Sequence, residues 1–402
     1  MPFIPLPTIP TDVAYLLVVV GLFIVPPIFA RLRIPGALAC LGVGALLGLG
    51  FGVFHDDAGI SLLATFGIVA LFLFAGLEVD LAALRGSLGI LLQHLAIQVA
   101  LMAAAGWVVG TVYGLEWRGM ALAGLAIATP STGFILDSLP RFGLDDEERR
   151  WVTLTAIATE ILALGVLFVV VQSSSAVRLG SASAALAAMV LLLPPVFRFF
   201  VDRIQPLAPR SEFGFLVVAA MTCAFITLRL GVYYLVGAFV VGLTAVRLRK
   251  ELPSLLTPTV LEGIELFAKF FVPFYFLKAG LHLTRDDFTL ASVGTGLILV
   301  AVAVPVRVAV VALHRRWALG EAAHSARRIG LALTPTLVFT IVIADILLAR
   351  YGAPRELHGA LVTFTLLNTL LPGLVLRGAT PSFESPEVSG SPDAYSAATP
   401  MH

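Results

Sequence analysis

Long apolar runs alternate with short polar connections over almost the whole chain. Thirteen of them are long enough to cross a bilayer, at roughly 12–31, 35–54, 59–78, 87–114, 118–139, 149–172, 180–201, 212–229, 231–248, 259–283, 289–314, 326–350 and 355–377. Each approaches the ~20 residues that a tilted helix needs to span the hydrocarbon core. The pattern predicts an all-α membrane protein with about 13 transmembrane helices. Residues 1–11 are proline-rich and lack a basic leader region, so the first run is expected to remain in the membrane. Residues 378–402 are rich in Ser, Pro, Ala and Thr without apolar periodicity, and read as a disordered tail.

Two interruptions stand out within this pattern. Thr129–Pro130 lies in ATPSTG, and Thr334–Pro335 lies in LTPT, 205 positions later. Proline removes a backbone donor and clashes with the preceding turn, so each pair should break its helix at membrane depth. Irregular backbone there is tolerated only against protein or a wet cavity. Another stretch repeats at nearly the same offset, 204: LFAGLEV at 73–79 resembles LKAGLHL at 277–283. Segments 2–6 therefore read as repeating in segments 9–13. Equivalent helices are seven crossings apart, an odd number, which makes the two five-helix units an inverted repeat. Two broken, crossing helices at matching places in such halves point to a secondary transporter's binding site.

Composition agrees, with 59% of residues hydrophobic and 13% charged. The net charge of +1 gives no reason to expect a nucleic-acid partner. Seventeen basic residues fall in one set of alternate loops and six in the other, which places the N-terminus outside and the C-terminus in the cytoplasm. Cys40 and Cys223 lie in apolar runs without metal-ligand spacing and read as small buried hydrophobes. GVGALLG at 42–48 imitates part of a dinucleotide-binding glycine pattern but lies within an apolar run and reads as close helix packing; with no nucleophile–base constellation either, no enzyme activity and no cofactor are expected.

Three basic residues remain inside segments: Lys269, Lys278 and Arg307. An ionisable group at a helix centre costs roughly 2.5–3.5 kcal/mol on insertion scales, so each asks for a reason. Glu160 is the acidic case, in TAIATEILALG, with small Ala156 and Ala163 one turn away and Thr155 and Thr159 nearby. A carboxylate in a wet, apolar-walled cavity can carry either a proton or a metal cation. Arg307 is expected to balance Glu160 or the negative carbonyl ends of the broken helices. Lys278 reads either as a second titrating site or as a chain snorkelling to the outer face. Glu262, Glu265 and Lys269 form a stripe that structural pairing would explain.

The sequences RLRIPGALACLGVGALLG at 31–48, LFLFAGLEVDLAALRG at 71–86, ATPSTGFILDSL at 128–139, ATEILALGVLF at 158–168 and FFVPFYFLKAGLHL at 270–283 are together more specific. Across nearly the whole membrane region the chain resembles the monovalent cation:proton antiporter superfamily. The resemblance implies exchange of Na+, K+ or Li+ for H+ by alternating access, in a homodimer in the bacterial cytoplasmic membrane. It also implies an ion-binding core, placed at about 59–172 and 259–350, beside scaffold helices at about 12–54, 180–248 and 355–377. Glu160 falls where the family has its ion-carrying aspartate, and Thr159 where some members have a second acid. Thr129, Ser131, Thr132 and Thr334 fall at the breaks, and Arg307 falls on a facing helix. With a single obvious carboxylate the expected exchange is electroneutral. Two competing readings are a sodium-coupled organic-anion carrier of related fold, which has no use for a buried Arg–Glu couple, and a gated cation channel.

Overall fold

The computed structural model describes residues 10–31, 34–231 and 234–376, and these are helical throughout with short connections. The tail expected at 378–402 lies outside the described residues. The chain opens with α1 (Thr11–Ala30) and α2 (Gly36–Ala45), the latter continued by a π-helical stretch over Leu46–Phe51. Then come α3 (Ala58–Leu77), the short α4 (Leu81–Gly86) and α5 (Leu88–Tyr113). The first broken pair is α6 (Trp117–Ala128) and α7 (Thr132–Ser138), followed by α8 (Asp146–Gln172). Next are α9 (Ala176–Phe199), α10 (Glu212–Arg229), α11 (Tyr234–Leu248), α12 (Pro258–Leu281) and α13 (Leu290–Leu319). The second broken pair is α14 (Ala323–Ala332) and α15 (Leu337–Arg350), and α16 (Arg355–Val375) closes the fold.

Among the described residues nine helices are long and apolar enough to cross a membrane, and the bent α14–α15 pair makes a tenth. The spans expected at 35–54 and 231–248 correspond to shorter apolar helices, Gly36–Phe51 and Tyr234–Leu248. The one expected at 259–283 is α12, which carries Glu262, Glu265, Lys269 and Lys278. Part of that stripe is paired as expected, with Lys269 and Glu265 2.7 Å apart. Cys40 and Cys223 are buried free thiols.

Local chemistry sets the helix ends. Asp145 accepts the Glu148 amide at 2.8 Å while Glu148 accepts the Asp145 amide at 3.1 Å, a reciprocal cap that starts α8. Asp57 and Thr289 cap α3 and α13 through the amides of Ile60 and Ser292. Gly114 and Gly320 end α5 and α13 in the left-handed conformation, at φ 64° and 66°.

Burial sorts the helices into inner and outer. Only 11% of the apolar window of α1 is buried within the chain and 22% of that of α9, against 83% for Trp117–Leu136. The large exposed side chains, Leu290, Val177 and Val112 among them, are those of a surface that faces lipid.

Packing forms two groups. Helix α3 packs on α11 and α12, and α12 packs on α2. A side chain on Gly44 would collide with the Leu277 carbonyl, and one on Gly242 with the Leu73 carbonyl, so these helices touch backbone to backbone. The second group joins α5 to α6, α13 to α14 and α16, and α15 to α16 and α6, with α8 against α6, α7 and α14. Helices α3 and α12, placed with the broken helices by the sequence, pack chiefly with α2 and α11, and α16, placed with the scaffold helices, packs on α13 and the second broken pair. The small residues at 44 and 242 let the backbones of the first group approach.

Candidate functional site: two helix breaks in contact

Each break follows from its proline. The residue before proline is excluded from helical conformation, so Thr129 is extended at φ −79° and ψ 119° and α6 stops at Ala128. Leu333 to Thr336 interrupt the second span, which bends by 47°. The Ser131 amide donates to the Pro335 carbonyl at 2.7 Å, so the irregular backbone of one break satisfies that of the other.

The carbonyl ends of the broken helices are capped from neighbouring helices. Arg307 of α13 donates to the carbonyls of Thr334 at 2.8 Å and Leu333 at 2.9 Å. A guanidinium at a helix C-terminus meets the negative end of the macrodipole. At the other break, Gln98 of α5 donates to the Ala128 carbonyl at 2.5 Å. Of the two roles expected for Arg307, the contacts seen are those to the carbonyl ends.

The second break is hydrogen-bonded throughout. Thr340 donates toward the Ala126 carbonyl at 2.7 Å and lies 2.6 Å from the Thr336 hydroxyl. Asn368 of α16 donates to Thr336 at 3.0 Å, and Thr365 lies 3.2 Å from the same hydroxyl. The Thr334 hydroxyl turns back to the Leu331 carbonyl at 2.8 Å. The first break is different. The Thr129 hydroxyl is buried without any hydrogen-bond partner, and the Thr132 hydroxyl has no neighbour to bond except the Glu160 carboxyl.

Glu160 lies at the middle of α8, 4% exposed, within electrostatic reach of the Thr132 hydroxyl. Thr159 beside it is satisfied by its own helix, donating to the Thr155 carbonyl at 2.8 Å. A cavity of about 10 Å³, room for about one water, is lined by Thr155, Thr159, Pro130, Gln98, Arg307 and His94 among others. One carboxylate with hydroxyl oxygens nearby is a donor set for a weakly held hard cation or a proton. Among the described residues no group of three His, Cys, Asp or Glu side chains is placed to hold a metal ion.

Of the residues read from the sequence, Glu160, Thr159, Thr129, Ser131, Thr132, Thr334 and Arg307 all gather around the crossing. Lys278 does not. It lines a separate cavity of about 190 Å³, between α3, α12 and α15, with Thr65, Tyr275, His282 and Asp345. Asp345 also accepts from His358 at 3.1 Å. Gln98, Thr336, Thr340 and Asn368 were missed, since neutral polar residues cost little in a helix and stand out weakly.

Comparison with known proteins places this architecture. The chain is 28% identical over 387 residues to the Na(+)/H(+) antiporter NhaS5 of Synechocystis, covering 92% of this chain and 53% of that protein. It is 24% identical to the probable Na(+)/H(+) antiporter 3 of Methanocaldococcus jannaschii, over 65% of this chain and 69% of the relative. A third relative, cation/H(+) antiporter 18 of Arabidopsis thaliana, is 29% identical over 55% of this chain and 29% of its own length. The chain thus spans about half the length of the cyanobacterial relative. The structure of the sodium proton antiporter MjNhaP1 from M. jannaschii superposes with a TM-score of 0.67 at 15% identity, covering 92% of this chain and 99% of that one. Residues 18–379 match the sodium/hydrogen exchanger transmembrane family over most of the chain, and the protein belongs to that family.

Proposed function

We propose that this protein is a secondary active transporter that exchanges a monovalent cation, Na+ or K+, for protons across a bacterial cytoplasmic membrane. Glu160 is the shared carrier, holding a proton or a cation but not both. The observation that carries this reading is the asymmetry at the crossing: one buried carboxylate meets the Thr132 hydroxyl at the break where the Thr129 hydroxyl lacks a partner. A cation beside Glu160 would draw on Thr129, Thr132 and the irregular backbone near Ser131. Thr159 stands beside Glu160 where a second acid would sit, and its hydroxyl is already engaged. One titrating group at the site makes the exchange electroneutral. Lys278, remote from the crossing, lines the route on one face instead.

The transport cycle we propose is alternating access in a homodimer, with the N-terminus outside. Helices α5–α8 and α13–α16 form the moving core, and α1–α3 with α9–α12 form the scaffold. The matched backbone contacts at Gly44–Leu277 and Gly242–Leu73 support an inverted repeat, because each glycine and each carbonyl has its counterpart in the other half. The names of the relatives favour Na+ over an organic anion. Arg307 argues the same way, since its guanidinium is occupied by two carbonyls and is not presented to an anionic solute.

The test is dequenching of a pH-sensitive dye in acid-interior proteoliposomes on addition of Na+, K+ or Li+. Wild type is expected to dissipate the gradient with at least one of them, and Glu160→Gln to be silent with all. Dequenching that survives in Glu160→Gln, or a wild type indifferent to all three cations, defeats the proposal.

A further inference from the structure

One titratable side chain in the lining of the cavity at the crossing has no part in the site proposed above. His94 of α5 is 6% exposed and opens into the cavity that ends at Thr159 and Pro130, the neighbours of Glu160 and Ser131. It lies one turn from Gln98, the cap of the first break, on the same helix face. The cavity holds about one water. Its other ionisable lining group, Arg307, does not release a proton in the working pH range. On its far side His94 meets His314 of α13, ring to ring at 6.1 Å, and His314 reaches toward Gln93 at the surface at 3.4 Å. Two imidazoles therefore lead from the surface at the α4–α5 and α13–α14 connections to a water-sized space beneath the crossing.

We propose that His94 is a proton-relay residue of the exchange reaction, passing protons between bulk water and the cavity water at the crossing, on the assumption that the chain exchanges cations for protons. In the inward direction the free ring nitrogen of neutral His94 takes a proton from water or from His314. The opposite nitrogen releases its own proton to the cavity water, which passes it to the Glu160 carboxylate as the cation leaves. One N–H bond forms, one breaks, and the ring returns to its first tautomer by exchange with water. The charged and titratable groups facing this path are His314, Arg315 and Arg307 of α13. Arg315 is engaged by Glu321 and lies 4.7 Å over the Trp151 ring of α8, while Glu148 of α8 and Arg328 of α14 pair with each other at 3.5 Å. No step requires an oxidant or a co-reactant.

A relay is separable from a structural role because exchange of cation for cation needs no proton. Proteoliposomes would be assayed in two ways: cation-driven dequenching, and equilibrium exchange of radioactive sodium for unlabelled sodium without a pH gradient. For His94→Gln the expected result is a dequenching rate lower by roughly tenfold or more, within the range that a positioned acid–base group contributes, with tracer exchange nearly unchanged. His94→Ala is expected to behave likewise and to regain dequenching when imidazole is added. An equal fall in both assays would make His94 structural, and no fall in either would make it idle; both overturn the relay. A wild type inactive in both assays would remove the exchange reading itself, and the relay with it, which the parallel wild-type measurement detects before any variant is read.

Discussion

The two helix breaks are built from the same dipeptide and finished in opposite ways. At the second, every polar atom named above has a partner: Arg307 holds two carbonyls, and Thr336, Thr340, Asn368 and Thr365 bond to one another. At the first, two neutral donors, the Gln98 amide and the Thr340 hydroxyl, cap the Ala128 and Ala126 carbonyls, the Thr129 hydroxyl is left over, and that of Thr132 has only the Glu160 carboxyl. Buried polar groups normally have partners, and an unpaired one costs roughly 1–3 kcal/mol. In the proposed reading the ligand sits at the more open break, so that the second break is the frame and the first is the seat.

Removing the frame's cap is the most damaging way to break this comparison. Arg307→Met would leave the Leu333 and Thr334 carbonyls buried and unpaired, a loss of about 3–5 kcal/mol, since hydrogen bonds to charged groups contribute about 1.5–3 kcal/mol each. The expected result is a large fall in the melting temperature of the detergent-solubilised protein. Gln98→Leu removes one neutral bond at the other break and should cost about 1–3 kcal/mol. Equal losses for the two variants would deny that the breaks are held differently.

A smaller effect is expected within the hydroxyl network. Thr340→Val keeps the shape of the side chain and deletes its bonds to the Ala126 carbonyl and to Thr336. Melting should show a loss of about 1–3 kcal/mol, while the cation concentration giving half-maximal dequenching should stay where it was. A shift in that concentration without a change in melting would move the seat to the second break.

The sequence told more about where charge is than about where polarity is satisfied. Glu160, Arg307 and the two Thr-Pro pairs were legible because an acid, a guanidinium or a proline in an apolar helix is costly enough to demand a reason. Gln98, Thr336, Thr340 and Asn368 carry no such cost, and their roles depend on partners far away in sequence. Thr340 meets a carbonyl 214 residues earlier, and Gln98 one 30 residues later. Which helices pack together was hard to read for the same reason. Contacts such as Gly44 against Leu277 join segments that hydropathy treats as independent. Lys278 shows the converse: a charge within a span stands out in the sequence, yet its place is a separate cavity and not the crossing.

The mildest substitution sharpens the comparison most. Thr132→Val swaps a buried hydroxyl whose one partner is the Glu160 carboxyl for a methyl of similar size, so by the stability argument it should cost little. If the hydroxyl serves a cation beside Glu160, losing one oxygen ligand should raise the half-maximal cation concentration by about three- to tenfold, equivalent to about 0.7–1.4 kcal/mol. Thr129→Val should behave in the same way. The pairing of little-changed stability with weakened cation response is the signature of a group kept for its ligand. Thr340→Val is expected to show the reverse pairing, lower stability with unchanged response. If Thr132→Val melts lower and transports normally, then its hydroxyl serves the fold and not the cation, and the open break is as structural as the closed one.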